Sequence, residues 1–417
     1  MKSVLIIIAM ILPGLVSAAD SLTLNRVVTE VLAHNDRVAA ARLMEKSARE
    51  KAASAGAWND PMLMLGVQNL PTSLDFKEDM MTMKMLGLSQ DIPYSGYKGL
   101  ESKAAKAEAE AEGKTREEVE REMVVAARMA YYNFYYQNEI LKELEGQRQI
   151  AEQVAEAASA KLRSNQGTQE DLLAAQSDLW RIETEILSAK QLLDEARFDL
   201  NSLRGADINT EIGTIESPEF AIIPDSAETW LAQAEENYPP LRRLAYLSES
   251  YQFSAKAANR MRWPMLNLSG SYGFRADSEM EKRDNMIGVQ ATLSLPIFSR
   301  RQQGKMSESM KAMSESVDSE ARQLRKDIEA RLRSLLHRAQ RLQESLRIYR
   351  EMIIPTSEQA LKSAFAGYAA NRSSFQTLLN YASAIYRDKI VVHQIANELA
   401  STMAEAEKYF VEVGGER

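Results

Sequence analysis

The chain has 417 residues, of which 45% are apolar, 26% are charged and 7% are aromatic. This balance favours long helices over a compact mixed fold, and the formal net charge of −8 argues against a nucleic-acid-binding surface. There is no cysteine, so we expect a protein that folds by packing alone, without disulfides and without the thioether-linked lipid of a lipoprotein.

Residues 1–19 are predicted to be a cleavable secretory signal. Lys2 precedes an apolar run from Val4 to Val16, and the small residues Ser17-Ala18-Ala19 follow it. A transmembrane helix needs about 20 apolar residues, and this run is shorter. The chain is therefore expected to be exported.

Residues 20–204 are predicted to be helical, apart from one apolar interlude that begins near Trp58. Residues 97–204 contain no proline, and their helical pattern is broken at Asn165-Gln166-Gly167-Thr168. Asn and Gly favour a left-handed turn, and Thr can cap a new helix. The pattern predicts a long antiparallel coiled-coil hairpin over 97–204.

Residues 205–225 contain Gly213, Pro218 and Pro224 and are predicted to be an irregular divider. The same order of elements then returns over 226–417. It includes a hairpin expected at 300–410 with its turn at Asn371-Arg372-Ser373-Ser374, and a kink expected at Pro355.

The two halves are related by nearly constant offsets. Pro61 and Pro264 lie 203 residues apart, as do Pro93 and Pro296. Asn165 and Asn371 lie 206 residues apart, as do Thr168 and Ser374. Matching offsets of this kind predict an internal duplication.

Each interlude is predicted to form two strands, because apolar and polar residues alternate with a period of two. The strands are expected at about 62–70, 81–91, 265–275 and 286–295. Each is about as long as a tilted strand needs to cross a bilayer. A soluble hairpin packed on the helices is the alternative.

Aromatic side chains mark the ends of the predicted strands next to the helices, where amphipathic rings form membrane-interface belts. These predicted interface residues are Trp58, Tyr94, Tyr97, Trp263 and Phe298. They favour the membrane interpretation.

Four strands cannot close a barrel, and an open sheet edge in lipid leaves backbone groups without partners. Closed barrels begin at about eight strands. The chain is therefore expected to associate. Two copies supply eight strands and three supply twelve, which gives the roomier channel.

No catalytic site, cofactor site or metal site is predicted. His34, His337 and His393 are scattered, and no phosphate-binding glycine loop is present. Methionines near the first strands invite a copper or silver interpretation. Lys84 was expected to face water, which would turn Met81, Met83 and Met85 toward lipid and argue against metal contact.

A run of rings, Tyr131-Tyr132-Asn133-Phe134-Tyr135-Tyr136, covers every side of the long helix near its middle. Rings on all faces of a helix indicate burial on all faces. We expect the segment 205–225 and its neighbours to cover them.

The paired interludes, the long helices and the turn motifs resemble those of the TolC-like outer-membrane efflux proteins. The two motifs are Asn165-Gln166-Gly167-Thr168-Gln169-Glu170-Asp171-Leu172-Leu173 and Asn371-Arg372-Ser373-Ser374-Phe375-Gln376-Thr377-Leu378-Leu379. The turns are more similar to the heavy-metal efflux branch than to the founding member. The resemblance covers essentially the whole mature chain.

The resemblance implies a mainly α fold with a pair of membrane β-hairpins. It also implies a homotrimer in the outer membrane of a Gram-negative bacterium, with a 12-stranded β-barrel continued by a 12-helix α-barrel. Its partners would be a periplasmic adaptor (membrane fusion) protein and an inner-membrane efflux pump. The channel itself would be passive.

The resemblance also places adaptor docking and gating at the hairpin tips. The residues concerned are Asn165, Gly167, Thr168, Glu170, Asp171, Asn371, Arg372, Ser374 and Thr377. Asp171 matches an acidic position of the family, but Thr377 stands there in the second copy. Arg372 could pair with these carboxylates, or all of these charges could simply be solvated.

Two other functions fit parts of the pattern. A type I protein-secretion channel would share the architecture. A periplasmic coiled-coil adaptor, from a different class, would carry a single hairpin and compact β domains. The duplicated strand and helix unit favours an efflux channel for small molecules or metal ions.

Overall fold

The computed structural model describes residues 21–219, 222–277 and 282–411, so the predicted signal lies outside the described residues. Contacts divide the chain into two units. The first unit contains the chain up to Asp36, Glu122–Ser226 and Ser334–Lys408. The second unit contains Arg37–Arg121, Ala227–Arg333 and the chain from Tyr409.

The described residues form nine α-helices, one π-helical segment and four strands. The helices are α1 Leu24–His34, α2 Asp36–Ser54, α3 Tyr97–Arg163, α4 Gln169–Leu203, α5 Glu228–Asn237, α6 Pro239–Arg260, α7 Gln303–Ile348, α8 Ile354–Ala369 and α9 Phe375–Glu407. The π-helical segment is Tyr349–Ile353, and the strands are β1 Met62–Gln68, β2 Met83–Ile92, β3 Leu266–Arg275 and β4 Met286–Leu293.

The long helices follow the predicted pattern. The helix α3 has 67 residues, which at 1.5 Å per residue makes it about 100 Å long. Among the described helices, none has both the length and the apolar character that a membrane span requires.

Proline acts differently at two sites in the second half. Pro355 lies in the first turn of α8, directly after the π-helical segment. At the expected kink, the α-helical hydrogen-bond pattern is interrupted by the π-helical segment. This interruption accommodates Pro355, which has no N–H to donate. Pro239 and Pro240 mark the break between α5 and α6 and form the first turn of α6, where no N–H is needed.

Four of the five rings of the cluster in the first unit are buried, as expected, and Tyr135 is partly exposed. Tyr131, Tyr132, Phe134 and Tyr136 are all at most 7% exposed. The Tyr131 hydroxyl lies 3.1 Å from the carbonyl oxygen of Leu22 and 2.7 Å from that of Glu216. A parallel bridge joins Leu22 to Ile215, so the irregular segment after Gly205 is held against α3 here.

The second unit contains the sheet, whose order is β1-β2-β3-β4 with antiparallel pairing throughout. The observed strands agree with the predicted ones to within two residues at every boundary. In the same unit, Trp230 of α5 stacks on Phe410 with ring centres 5.4 Å apart. Arg116 of α3 bonds Glu45 of α2 at 2.6 Å.

Candidate functional site

The two predicted hairpin turns lie in the first unit and have the same backbone. Asn165 and Asn371 adopt left-handed conformations with φ of 56° and 55°, which asparagine tolerates better than most residues. Thr168 caps α4 by accepting a 3.1 Å hydrogen bond from the Asp171 amide, and Ser374 caps α9 by accepting one of equal length from Thr377. The two turns of the predicted duplication therefore also match in their hydrogen bonds.

The turns differ in which residue is glycine. A Cβ added to Gly167 would lie 2.9 Å from the Lys161 Cβ, while a Cβ added to Gly367 would collide with Ser373. These two pairs occupy matching positions, because the amides of Gly167 and Ser373 both bond the carbonyl 6 residues earlier, at 3.1 Å. Only one residue of each close pair therefore carries a side chain. It is Lys161 in the first turn and Ser373 in the second.

The Lys161 side chain, for which Gly167 leaves room, joins the two tips. Its Nζ donates to the Asn371 Oδ1 at 2.6 Å and to the Tyr368 carbonyl, and it lies 4.0 Å from the centre of the Tyr368 ring. That carbonyl belongs to the last turn of α8, where the helix dipole favours a cation. Lys161 was not among the predicted tip residues, because its sequence resembles any other helix-surface lysine.

Arg372 does not make the ion pair that we considered. Its side chain is exposed, and within the described residues no carboxylate of this chain lies within ion-pair distance of it. Lys161 makes the link between the tips instead. Glu170 and Asp171 lie in the first turn of α4, where negative charge favours the helix N-terminus.

Beneath the tips lies a small apolar core. It consists of Val154, Ala158, Ala175, Ala364, Tyr368, Phe375 and Leu378. Tyr368 and Phe375 meet edge to face with centres 5.7 Å apart. Burial raises the pKa of Tyr368, and the nearby Asp171 carboxylate raises it further.

Helix α4 also carries an apolar stripe that sequence analysis missed. Leu173, Trp180 and Leu187 are 56%, 69% and 66% exposed. Their spacing of seven residues is that of one coiled-coil position, and this spacing is visible in the sequence. The stripe has no partner among the described residues of this chain.

In the second unit, the strand register gives the sheet two faces of different character. Pairs such as Leu65 with Leu86 and Tyr272 with Ile287 lie on an apolar face. That face contains Leu63, Leu65, Val67, Lys84, Leu86, Leu88, Leu268, Tyr272, Phe274, Ile287, Val289 and Leu293. The opposite, polar face contains Met62, Met64, Met83, Met85, Ser89, Asn267, Ser269, Ser271, Gly273, Met286, Gln290 and Thr292.

Lys84 lies on the apolar face, contrary to our expectation that it shares the face of the polar residues. It pairs with Val67 and Phe274, and its Nζ lies 5.0 Å from the centre of the Phe76 ring. Met83 and Met85 lie on the polar face. Lys84 alone did not predict which face of the strand is polar, because a lysine can extend its charge beyond a sheet edge and over an aromatic ring.

The register brings the predicted interface aromatics to one end of the sheet. The start of β1 pairs with the end of β2, and Leu266 at the start of β3 pairs with both Ile92 and Leu293. The residues that flank this end are Trp58, Tyr94, Tyr97, Trp263 and Phe298. All but Tyr97 are half or more exposed.

The other end of the sheet carries the loops 69–82 and 276–285, of which 278–281 lie outside the described residues. Two arginines hold them together. Arg275 Nε donates to the Met80 carbonyl at 3.1 Å, and Arg283 donates to the Asp79 carbonyl at 3.2 Å.

No group of three or more His, Cys, Asp or Glu side chains suited to a metal ion occurs in the described part of the chain. His393 lies 3.9 Å from Glu143. Together with Lys389, it lowers the pKa of that carboxyl.

The sequence profile of the family described as outer membrane efflux protein matches residues 27–206. Among curated protein sequences, none is significantly similar to the chain.

Solved structures of outer-membrane channels share the fold. The chain is similar to CusC, with a TM-score of 0.79 and 15% identity over 94% of this chain and 92% of that one. It is similar to VceC of Vibrio cholerae, with a TM-score of 0.77 and 14% identity over 93% and 96%. It is also similar to the open MtrE channel of Neisseria gonorrhoeae, with a TM-score of 0.76 and 16% identity over 93% and 88%.

These scores are nearly equal, so they do not single out a heavy-metal branch. The family is described as an efflux protein, and CusC and MtrE are described as channels, in agreement with the prediction that the chain is no enzyme.

Proposed function

We propose that this chain is the outer-membrane channel of a tripartite efflux system. It acts as a passive homotrimer that carries small molecules or metal ions out of the cell. The observation that carries the proposal is the four-stranded sheet, with one apolar and one polar face and two unpaired edge strands. Such a sheet suits a wall between lipid and water.

The sheet edges support the trimer. Every residue of β1 and of β4 is exposed in the single chain, and their outward backbone groups need partners in lipid. When β1 of one copy pairs with β4 of the next, three copies close a barrel of twelve strands. The apolar face then meets lipid and the polar face lines the channel.

The first unit supports the same assembly. The stripe of Leu173, Trp180 and Leu187 is an unpartnered coiled-coil seam, which a neighbouring copy covers in the trimer. The tips around Asn165 and Asn371 contact a periplasmic adaptor, through which an inner-membrane pump supplies the energy. The protein resides in the outer membrane of a Gram-negative bacterium, with its helices in the periplasm.

The absence of native cysteine makes the proposal testable by crosslinking. Leu65→Cys on β1 is combined in turn with Ile287→Cys, Val289→Cys or Ala291→Cys on β4, and membranes are oxidised. At least one pair is expected to give a covalent trimer in the outer-membrane fraction. Leu65→Cys combined with Tyr272→Cys on the central strand β3 is the matched control and should give none.

A chain found only in the soluble periplasmic fraction would support the adaptor alternative and refute the channel. A covalent trimer without any change in sensitivity to metals, detergents or dyes after gene deletion would favour protein secretion. That outcome is checked by comparing the secreted proteins of the deletion strain with those of the parent.

A further inference from the structure

Methionine is concentrated around the sheet of the second unit. The chain has 20 methionines, and six of them lie between residues 62 and 85. The sequence argument against metal contact was that Lys84 turns Met83 and Met85 away from water. The strand register removes that argument, because both methionines lie on the polar face.

Three methionines surround one glycine on this face. Gly273 of β3 pairs with Met85 on one side and with Met286 on the other. Met83 follows along β2, two residues from Met85. Residues directly opposite on neighbouring strands are close enough for their side chains to touch.

The sulfur atoms of Met83 and Met85 lean over the glycine. A Cβ added to Gly273 would lie 2.5 Å from the Met83 Sδ and 3.3 Å from the Met85 Sδ. Both thioethers therefore border the same position, which is open only because residue 273 has no side chain. Met83 is 6% exposed and Met286 is 42% exposed, so the cluster can be reached from one side.

Thioethers are neutral, soft ligands that select Cu⁺ and similar ions over hard divalent ones. Methionines that served only to fill space would suit the apolar face, whereas these lie among serines and glycines. Arg275 lies opposite Met83 on the same face. Its Nε and Nη1 donate to the Met80 and Asp284 carbonyls at 3.1 and 3.4 Å, and the remaining positive charge disfavours a divalent ion more than a monovalent one.

We propose that Met83, Met85 and Met286 form a thioether site for a soft monovalent metal ion, of the class of Ag⁺ and Cu⁺. Met83 and Met85 are assigned from their sulfur positions at Gly273, and Met286 is assigned from the strand register. It goes beyond the channel function and does not depend on it.

The first test measures Ag⁺ binding to the purified full chain in detergent and chloride-free buffer, with bound metal quantified after dialysis. Wild type should bind Ag⁺ saturably, and the variant M83L/M85L/M286L should lose about tenfold or more in affinity. The matched control M306L/M313L/M352L removes three exposed methionines elsewhere and should bind as wild type does. Absence of saturable binding to wild type, or equal binding by the site variant, overturns the proposal.

A second test needs no variant. Peroxide converts free methionine to its sulfoxide, and peptide mass spectrometry gives the rate at each position. Ag⁺ should slow oxidation of Met85 and Met286 by about fivefold or more and leave Met306 and Met352 unchanged. Uniform slowing, or none, shows that the thioethers only fill space above Gly273, and the proposal fails.

Discussion

The Nζ of Lys161 and the Oδ1 of Asn371 lie 2.6 Å apart, although 210 residues separate them in sequence. Lys161 lies in the last turn of α3, and Asn371 is the left-handed residue of the second turn. The bond therefore ties together the two tips of one chain. It also depends on Gly167, which leaves room for the lysine stem.

Lys161→Met should loosen the second turn. The variant keeps an unbranched stem but loses the bonds to Asn371 and to the Tyr368 carbonyl, which we expect to lower the local opening free energy by about 1 kcal/mol. Hydrogen exchange in residues 366–376 measures this. Lys142→Met, which removes an exposed lysine bonded only to Glu139, is the control. Equal exchange in the two variants would show that the bond does not hold the turn.

Gly167→Ala should destabilise the protein by about 1–3 kcal/mol, because its Cβ meets the Lys161 side chain in a packed turn. Gly99→Ala is the control, since nothing lies within 4 Å of the added atom. Thermal unfolding compares the two.

The double variant Lys161→Gly, Gly167→Ser copies the arrangement of Gly367 and Ser373. It should be more stable than Gly167→Ser alone. If adding Lys161→Gly gives no recovery, the crowding explanation is wrong.

Tyr131→Phe should cost about 1 kcal/mol, because it removes the hydroxyl that donates to the Leu22 and Glu216 carbonyls, and only the Leu22 carbonyl keeps another donor, the Glu216 amide at 3.3 Å. Proteolysis within residues 205–219 should become faster. Tyr381→Phe changes an exposed tyrosine and should have no effect. Unchanged proteolysis in Tyr131→Phe would mean that other contacts hold this segment.

Glu143 should make the stability of the folded protein depend on pH in the acidic range. The neighbouring His393, 3.9 Å away, and Lys389 lower its pKa from the ordinary value of 4.5. A lowered carboxyl pKa contributes stability above the unfolded pKa, and the contribution is lost as pH falls through the folded pKa. Melting curves should show this loss below about pH 4.5 in wild type and a smaller loss in Glu143→Gln.

Glu152→Gln, at an exposed position of the same helix, is the control for that series. It should follow the wild-type pH dependence. A Glu143→Gln curve that matches wild type at every pH would contradict the assignment.

Trp180→Glu and Leu187→Glu should weaken the proposed trimer, because each puts a charge into an apolar seam. Light scattering in detergent measures the mass. Ser188→Glu, exposed on the same helix but turned by about 100° from Leu187, should leave the trimer intact. A full-sized trimer in both stripe variants would place the subunit contact elsewhere.

Local sequence was enough for the elements and for the duplication. Alternation with a period of two located the four strands, and the proline offsets located the repeats. Asn165 and Asn371 were predicted as turn residues because few other residues tolerate a left-handed backbone. The strands and turns depend on neighbours within a few positions, and these can be read directly from the sequence.

The tip contacts were predicted less well. For Arg372 the sequence left open a pairing with the turn carboxylates or a solvated charge, and it did not point to Lys161, which makes the link between the tips. The sequence also kept the choice between two and three copies open, since both satisfy the edges of β1 and β4.

By itself the sequence determined that Met83 and Met85 share a face, because side chains in a strand alternate. Only the tertiary structure decided that this face is the polar one, and that Gly273 lies between Met85 and Met286. The reason is the register between strands, since a shift of one residue moves every side chain to the opposite face. That register, like the bond from Lys161 to Asn371, joins residues that are far apart in the chain and is fixed only when the whole chain folds.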